Sequence, residues 1–146
     1  MLNLITDRSQ SHVNRLIALQ ARDWESMTAA EKEAWYGEAA KGAYNYTDLN
    51  RVETAVGVMA DILGMSLVTK TNWTKWDRPT RSEMSRYLGN VAKIRSRYSQ
   101  ALMPTLPTSM DNLTYKDANN IELVLLRAYE FAESSIQSGE IYSGEV

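Results

Sequence analysis

The feature that most constrains the fold of this chain is a short motif that recurs at a near-constant spacing. The stretch NYTDLNRVE at 45–53 matches TYKDANNIE at 114–122, with tyrosine, aspartate, asparagine and glutamate in the same register. Weaker copies are TRSEMSRYL at 80–88 and SQSHVNRLI at 9–17. A period of this kind indicates that one structural unit is used repeatedly.

Each copy opens with the signals that start a helix. The first residues can all accept a hydrogen bond from a backbone N–H group, and they are Ser9, Asn45, Thr80 and Thr114. Three positions later come groups that mostly suit a capping box, namely His12, Asp48, Glu83 and Asp117. Thr28 with Glu31 forms a fifth pair between the first two copies. The pattern therefore predicts five helices.

After each of the last three caps of the repeat, apolar residues recur along the sequence at alternating steps of three and four positions. The three series are Leu49, Val52, Val56, Met59 and Leu63; Met84, Tyr87, Val91, Ile94 and Tyr98; and Ala118, Ile121, Leu125, Ala128 and Ala132. This spacing puts one apolar stripe along one face of each helix. The first copy loses the pattern at Gln20, so its helix is predicted to be shorter or more exposed. Gly42 and Gly64 are predicted to end the second and third helices.

Caps and stripes leave one polar pair in each copy unexplained. Along the chain these pairs are Asn14/Arg15, Asn50/Arg51, Ser85/Arg86 and Asn119/Asn120. They project from the first turns of four helices. We expect them to form hydrogen bonds between helices or between subunits rather than to act in catalysis.

The remaining segments lack the helical pattern. Residues 65–73 alternate and contain β-branched residues, which is compatible with a short β element or an extended arm. Residues 101–112 contain two prolines and are expected to form an ordered linker. We predict a mainly α fold with one helical domain over 1–146: a compact helical bundle of about five helices, an extended or irregular insertion at 65–80, and an extended C-terminal tail at 138–146. The repeat also suits a solenoid, but its unequal insertions favour the bundle.

No motif indicates catalysis or a bound cofactor. The chain has no cysteine and one histidine, His12, which excludes a thiol nucleophile, a disulfide and a two-histidine metal site. Its seven glycines form no phosphate-binding loop. No apolar run approaches the ~20 residues that span a bilayer. We therefore predict a protein that is not an enzyme, with no catalytic, cofactor-binding or metal-binding residues and no membrane span.

A basic segment, residues 70–98, carries the residues predicted to form a contact surface. Its net charge is +6, between flanking segments of −3 and −5, although the whole chain is at −2. The candidate surface consists of Trp73, Trp76, Arg78, Arg81, Arg86, Lys93 and Arg97. Aromatic rings among cations can stack on bases or on sugar faces, and a basic face can dock against an acidic neighbouring subunit. The other interpretation is that both tryptophans pack against the end of the bundle, with the charges solvated around them.

The order of several segments resembles a family of virion-associated proteins. These segments are ITDRSQSHVNRL, MTAAEKEAW, KGAYNYTDLNRVE, TNWTKWDRPTRSEMSRYLGN, PTSMDNLTYKDANNIE and SGEIYSGEV. The family is encoded by phages and prophages of Gram-positive bacteria, and its members resemble tail or baseplate proteins. The resemblance covers nearly the whole chain, and KGAYNYTDLNRVE and the closing YSGE are its most distinctive parts. It brings no catalytic residues with it.

The resemblance implies a structural role in assembly. It predicts a protein of the virion tail that is assembled in the cytoplasm of the bacterial host, with other tail proteins and further copies of itself as partners. The candidate subunit contact in the tail is Ile141 with Tyr142. One alternative is a module that binds a glycan of the host cell surface through Trp73, Trp76 and Arg78. A nucleic-acid-binding protein that uses the basic segment is less favoured, because its acidic flanks would repel a polyanion.

Overall fold

The computed structural model describes residues 2–138. Five α-helices follow one another: α1 (Gln10–Gln20), α2 (Ala29–Tyr36), α3 (Tyr46–Leu63), α4 (Arg81–Arg95) and α5 (Tyr115–Ser138). Short 3₁₀ segments lie at Trp24–Ser26, Glu38–Gly42 and Gln100–Leu102, and the described part of the chain contains no strand. The mainly α fold with five helices is confirmed. Apart from Ser138, which ends α5, the predicted tail with Ile141 and Tyr142 lies outside the described residues.

Each helix begins directly after its predicted cap. In α1 to α4 the cap residue and the residue three positions later accept each other's backbone N–H groups. α5 begins in the same way, because Thr114 and Asp117 exchange two such bonds at 3.1 Å. A cap of this kind contributes roughly 0.5–2 kcal/mol. α3 also ends as predicted, at Gly64, whose φ of 66° is the left-handed conformation that glycine adopts without strain.

The prediction for the end of the second helix is wrong. α2 stops at Tyr36, with Gly37 as its C-cap, and Gly42 ends the 3₁₀ segment that follows. That segment turns back towards α1 and brings Ala39 into full burial. A Cβ at Gly42 would lie 2.5 Å from the carbonyl oxygen of His12. Gly42 is therefore needed for close approach to α1 rather than as a stop signal.

α3, α4 and α5 form a three-helix bundle around the main core. The starts of α3 and α4 and the residues just before α5 line one groove. Tyr98, just beyond the end of α4, donates a hydrogen bond to the carbonyl of Ala128, in the second half of α5, at 3.2 Å. The helices therefore run in the same direction, and the connections 64–80 and 96–114 return along the bundle.

The predicted stripes build this core. All of their residues are buried except Leu63, Met84 and Tyr98, which are half-buried and pack against its edge. The apolar area that they remove from water is the main favourable term in folding the bundle.

A smaller core joins α1 to α2. It consists of Leu16, Leu19, Met27 and Ala39. α1 buries only two residues and leaves Ile17 exposed, which agrees with its weaker apolar pattern. α1, α2 and the 3₁₀ segment after α2 thus pack around a small core of their own beside the bundle.

Replacing Gly42 by alanine tests the close contact between the Glu38–Gly42 segment and α1. The new methyl group would meet backbone atoms of His12 and Val13 within 2.9 Å. We expect Gly42→Ala to lower the free energy of unfolding by about 1–3 kcal/mol, as overpacking does, in urea denaturation. Gly57→Ala is the matched control, because a Cβ there meets nothing within 4 Å and alanine favours a helix. Equal stability of the two variants would contradict the contact.

Candidate functional site

The residues predicted to form one contact surface are divided between the core and the exterior. Trp73 is 3% exposed, and its indole N–H donates to Glu53 Oε2 at 2.7 Å. Arg86 is half-buried and bound to the same carboxylate, with Nη1 2.6 Å from Oε1. Five residues remain exposed: Trp76, Arg78, Arg81, Lys93 and Arg97. Trp73 and Arg86 therefore hold the fold together, and the other five are accessible to a partner.

The connection between α3 and α4 is held by two side chains of α3. Asn50 Nδ2 donates to the Trp73 carbonyl at 2.9 Å, and Asn50 Oδ1 accepts the Trp73 N–H at 2.8 Å. Glu53 accepts the backbone N–H of Lys70 at 2.9 Å. Side chains thus take the place of a neighbouring strand, so residues 65–73 are extended but do not form a β-strand.

The same arrangement recurs on α5, where it holds the N-terminal segment. Asn119 exchanges two hydrogen bonds with the backbone of Arg8, at 2.9 and 3.0 Å. Glu122 accepts the backbone N–H of Ile5 at 2.9 Å. In both cases an asparagine and a glutamate three positions apart bind two backbone positions that are also three apart. We call this pair an Asn–Glu clamp.

Each clamp carboxylate is paired with an arginine from another helix. Arg51 of α3 donates to Glu122 from Nε at 2.7 Å and from Nη2 at 2.8 Å. Arg86 of α4 donates to Glu53 from Nη1 at 2.6 Å and from Nη2 at 2.9 Å. Burial opposes the charge of Arg51, but its bonds to Glu122 and Asp48 outweigh that effect and raise the pKa of Arg51. The bond to Glu53 raises the pKa of Arg86.

The bonds between helices that were expected of the polar pairs are confirmed for Arg51 and Arg86. Arg51 and Arg86 join helices to each other, while Asn50 and Asn119 join helices to extended segments. Asn14 bonds within α1 instead. The repeat therefore marked the clamps, although it did not show which segments they bind.

Arg8 adds a second cation to the clamp on α5. It is 4% exposed, and its Nη2 donates to Glu122 Oε2 at 2.6 Å and to Asp48 Oδ1 at 2.9 Å. Asp48 also caps α3 by accepting the Asn45 N–H at 2.9 Å, and it contacts Arg51. Two arginines thus face two carboxylates in one buried cluster, so that each charge is compensated. Arg8 lies outside the repeat, and no sequence pattern marked it.

A groove of about 1170 Å³ opens at the end of the bundle where the three helices begin. Its walls are the start of α3, the 73–81 connection, one face of α4 and the 107–113 loop. Its apolar lining includes Leu49, Met84, Leu88, Met110 and Leu113. Its charged lining consists of Lys75, Asp77, Arg81 and Asp111. Of the predicted contact residues, Trp73 and Arg81 line this groove.

A pair of tyrosines lies behind the groove. The hydroxyl groups of Tyr44, which lines it, and Tyr87 are hydrogen-bonded to each other. Burial raises the pKa of both hydroxyls. Both tyrosines therefore stay neutral at physiological pH and add no charge to the groove.

The groove offers apolar surface and charges of both signs. His12, the only histidine, does not line it, and its Nε2 contacts Glu38 Oε2 at 2.9 Å. Among residues 2–138, no three acidic or histidine side chains come together in a way that could hold a metal ion. In the same part of the chain, no helix combines the length and the apolar character needed to cross a membrane. This lining suits a segment of another protein.

No protein family model, curated protein or solved structure gives a significant match to this chain. The clamps, the groove and the five exposed contact residues are the features of the described structure that bear on its function.

Replacing Glu122 by glutamine tests the buried cluster. Glu122→Gln keeps the shape of the side chain but leaves Arg8 and Arg51 facing one carboxylate instead of two. We expect it to lower the free energy of unfolding by about 3–5 kcal/mol, as the loss of one partner of a buried ion pair does, in urea denaturation. Glu130→Gln on the exposed face of α5 is the matched control and should change stability by less than ~0.5 kcal/mol. A similar small effect at Glu122 would show that the cluster does not stabilise the fold.

Proposed function

We propose that this protein is a structural component of a phage tail or baseplate, and that it binds other proteins of the particle and further copies of itself. The order of its sequence segments resembles virion-associated proteins of phages and prophages of Gram-positive bacteria. In this proposal the chain is assembled in the cytoplasm of the bacterial host and is located in the virion tail.

The groove beside α4 is the observation that carries the proposal. At about 1170 Å³ it exceeds the ~300–1,000 Å³ of ordinary small-molecule pockets, so it has room for several residues of an extended chain. The protein already binds two extended segments of its own, through side chains of α3 and α5. Helix faces of this fold therefore suit protein segments as ligands.

Exposed charges support contacts between subunits. The basic residues Arg78, Arg81, Lys93 and Arg97 are exposed, as are the acidic residues Glu130 and Glu133 on α5. Exposed charges of both signs let one copy complement another. Repetition of such contacts by symmetry makes an assembly stable even when each contact is weak.

Reversing the charge of Arg81 tests this role. We expect the purified chain to form a defined oligomer or to bind another tail component, measured by sedimentation velocity and by co-purification from particles. Arg81→Glu should weaken that association about tenfold, or ~1.4 kcal/mol, because repulsion replaces attraction at the groove. Arg15→Glu, exposed on α1, is the control and should leave association unchanged. A strictly monomeric protein that binds no tail component would contradict the proposal.

Glycan binding is the second candidate, and the exposure of Trp76 favours it. Trp76 is 81% exposed, and Lys75 Nζ lies 4.9 Å from the centre of its ring. An exposed indole beside a groove can stack on a sugar. On this hypothesis the protein binds host cell wall in a sedimentation assay, and Trp76→Ala abolishes binding without lowering the unfolding temperature. Trp73→Ala should instead cost about 3–5 kcal/mol of stability.

If wild-type protein binds neither cell wall nor a glycan array, the glycan hypothesis is wrong. A nucleic-acid role is less favoured still, because Arg86 of the basic segment is committed to Glu53. No binding of DNA or RNA at ~50 mM salt would eliminate it.

A further inference from the structure

α4, the helix of the third repeat copy, has no Asn–Glu clamp. When the repeat copies at 45–53 and 80–88 are aligned, Ser85 and Leu88 of α4 occupy the positions of Asn50 and Glu53 of α3. Neither side chain supplies a carboxylate for a backbone N–H. Arg95, at the far end of α4, donates to the carbonyl of Pro104 at 2.7 Å. Within the described chain, however, no extended segment is hydrogen-bonded to Ser85 as residue 73 is bonded to Asn50.

The open groove lies on this same face of α4. It is lined there by Arg81, Met84, Ser85, Leu88, Gly89 and Ala92. Residues 107–113, which precede α5 as 73–79 precede α4, line the groove together with this face of α4. Of the three bundle helices, α4 is thus the one whose corresponding face is left open by residues 2–138.

We infer that this groove binds an extended segment of a second copy of the chain, residues 139–146, with the sequence GEIYSGEV. Ile141 and Tyr142 lie against the apolar lining, in the position that the chain's own segments take on α3 and α5. The inference rests on the proposed assembly role and specifies the contact that produces it.

Chemical complementarity supports this occupant. A groove floor with Leu88 in place of a glutamate selects apolar side chains, and Ile141 and Tyr142 are adjacent apolar residues in an otherwise polar segment. Glu140 and Glu145 flank them, and the lining offers them two cations, Lys75 and Arg81, beside two carboxylates, Asp77 and Asp111. Attraction to the cations and repulsion by the carboxylates would fix the direction of the segment in the groove.

A reach argument indicates that the segment comes from another copy. Tyr98, beyond the end of α4, is bonded to Ala128, and Ser138 lies ten residues further along α5, or about 15 Å. The groove extends along α4 only as far as Ala92, on the other side of Tyr98. Tyr142 follows Ser138 by four residues, which span at most ~14 Å. Tyr142 of the same chain therefore falls short of the groove.

The first test compares the self-association of the full-length chain with that of four variants by sedimentation equilibrium. Truncation after Ser138 removes the proposed ligand, and Ser85→Trp fills the groove at an exposed position. Each change should raise the Kd of self-association at least tenfold, and their combination should add no more than twofold, because both remove one contact. Ser82→Trp is the matched control, exposed on α4 but outside the groove lining, and should leave the Kd unchanged.

The second test places a photo-crosslinking amino acid at position 142 of the full-length chain. In a mixture of ¹⁴N- and ¹⁵N-labelled protein, cross-links should join differently labelled copies and map to residues 81–92 or 107–113. Cross-links within one copy, to another surface or to a different protein would overturn the inference.

The two proposals fail in distinguishable ways. If the full-length chain self-associates but truncation and Ser85→Trp leave the Kd unchanged, the groove assignment is wrong and the assembly role stands. The groove assignment is likewise wrong, and the assembly role stands, if the chain binds a tail component but does not self-associate. If it neither self-associates nor binds any tail component, both proposals are wrong.

Discussion

The carboxylate of Glu122 joins three parts of the chain that lie far apart in the sequence. It accepts the backbone N–H of Ile5, the guanidinium of Arg8 and two bonds from Arg51. Removing such a charge from water costs several kcal/mol, and only a complete set of donors offsets that cost. α3, α5 and the N-terminal segment are therefore held in one arrangement, and the groove at the start of the helices depends on it.

Glu53 has the same role on α3, where its carboxylate binds the connection to α4 and the guanidinium of Arg86. Hydrophobic burial has no direction, so it does not decide which extended segment covers which helix. The clamps do, because each binds backbone groups at two fixed positions and takes an arginine from one particular helix. Buried polar groups of this kind specify the arrangement of segments, whereas the apolar stripes supply most of the free energy of folding.

Features set by close neighbours in the sequence were predicted, and those set by distant residues were not. Caps and stripes depend on residues three or four positions apart, so their spacing is visible in the sequence. Trp73 and Trp76 have the same surroundings in the sequence but opposite exposures, because Trp73 is buried against Glu53, 20 residues away. Gly42 has the sequence surroundings of a helix stop signal, but its role is a tertiary contact with α1, which the sequence does not show. The groove is built from four separate stretches, so no single pattern could have marked it.

The wide separation of Arg8 and Glu122 in the sequence also affects folding during synthesis. Arg8 is synthesised before Glu122, which follows it by 114 residues. At ~5–20 residues per second, the N-terminal segment waits roughly 6 to 23 s for its binding site. α1 and α2 can form their small core in that time, because its residues all lie near the N-terminus. Docking of the first residues onto the last helix is then a late step, and an incomplete chain lacks the partner that encloses Arg8.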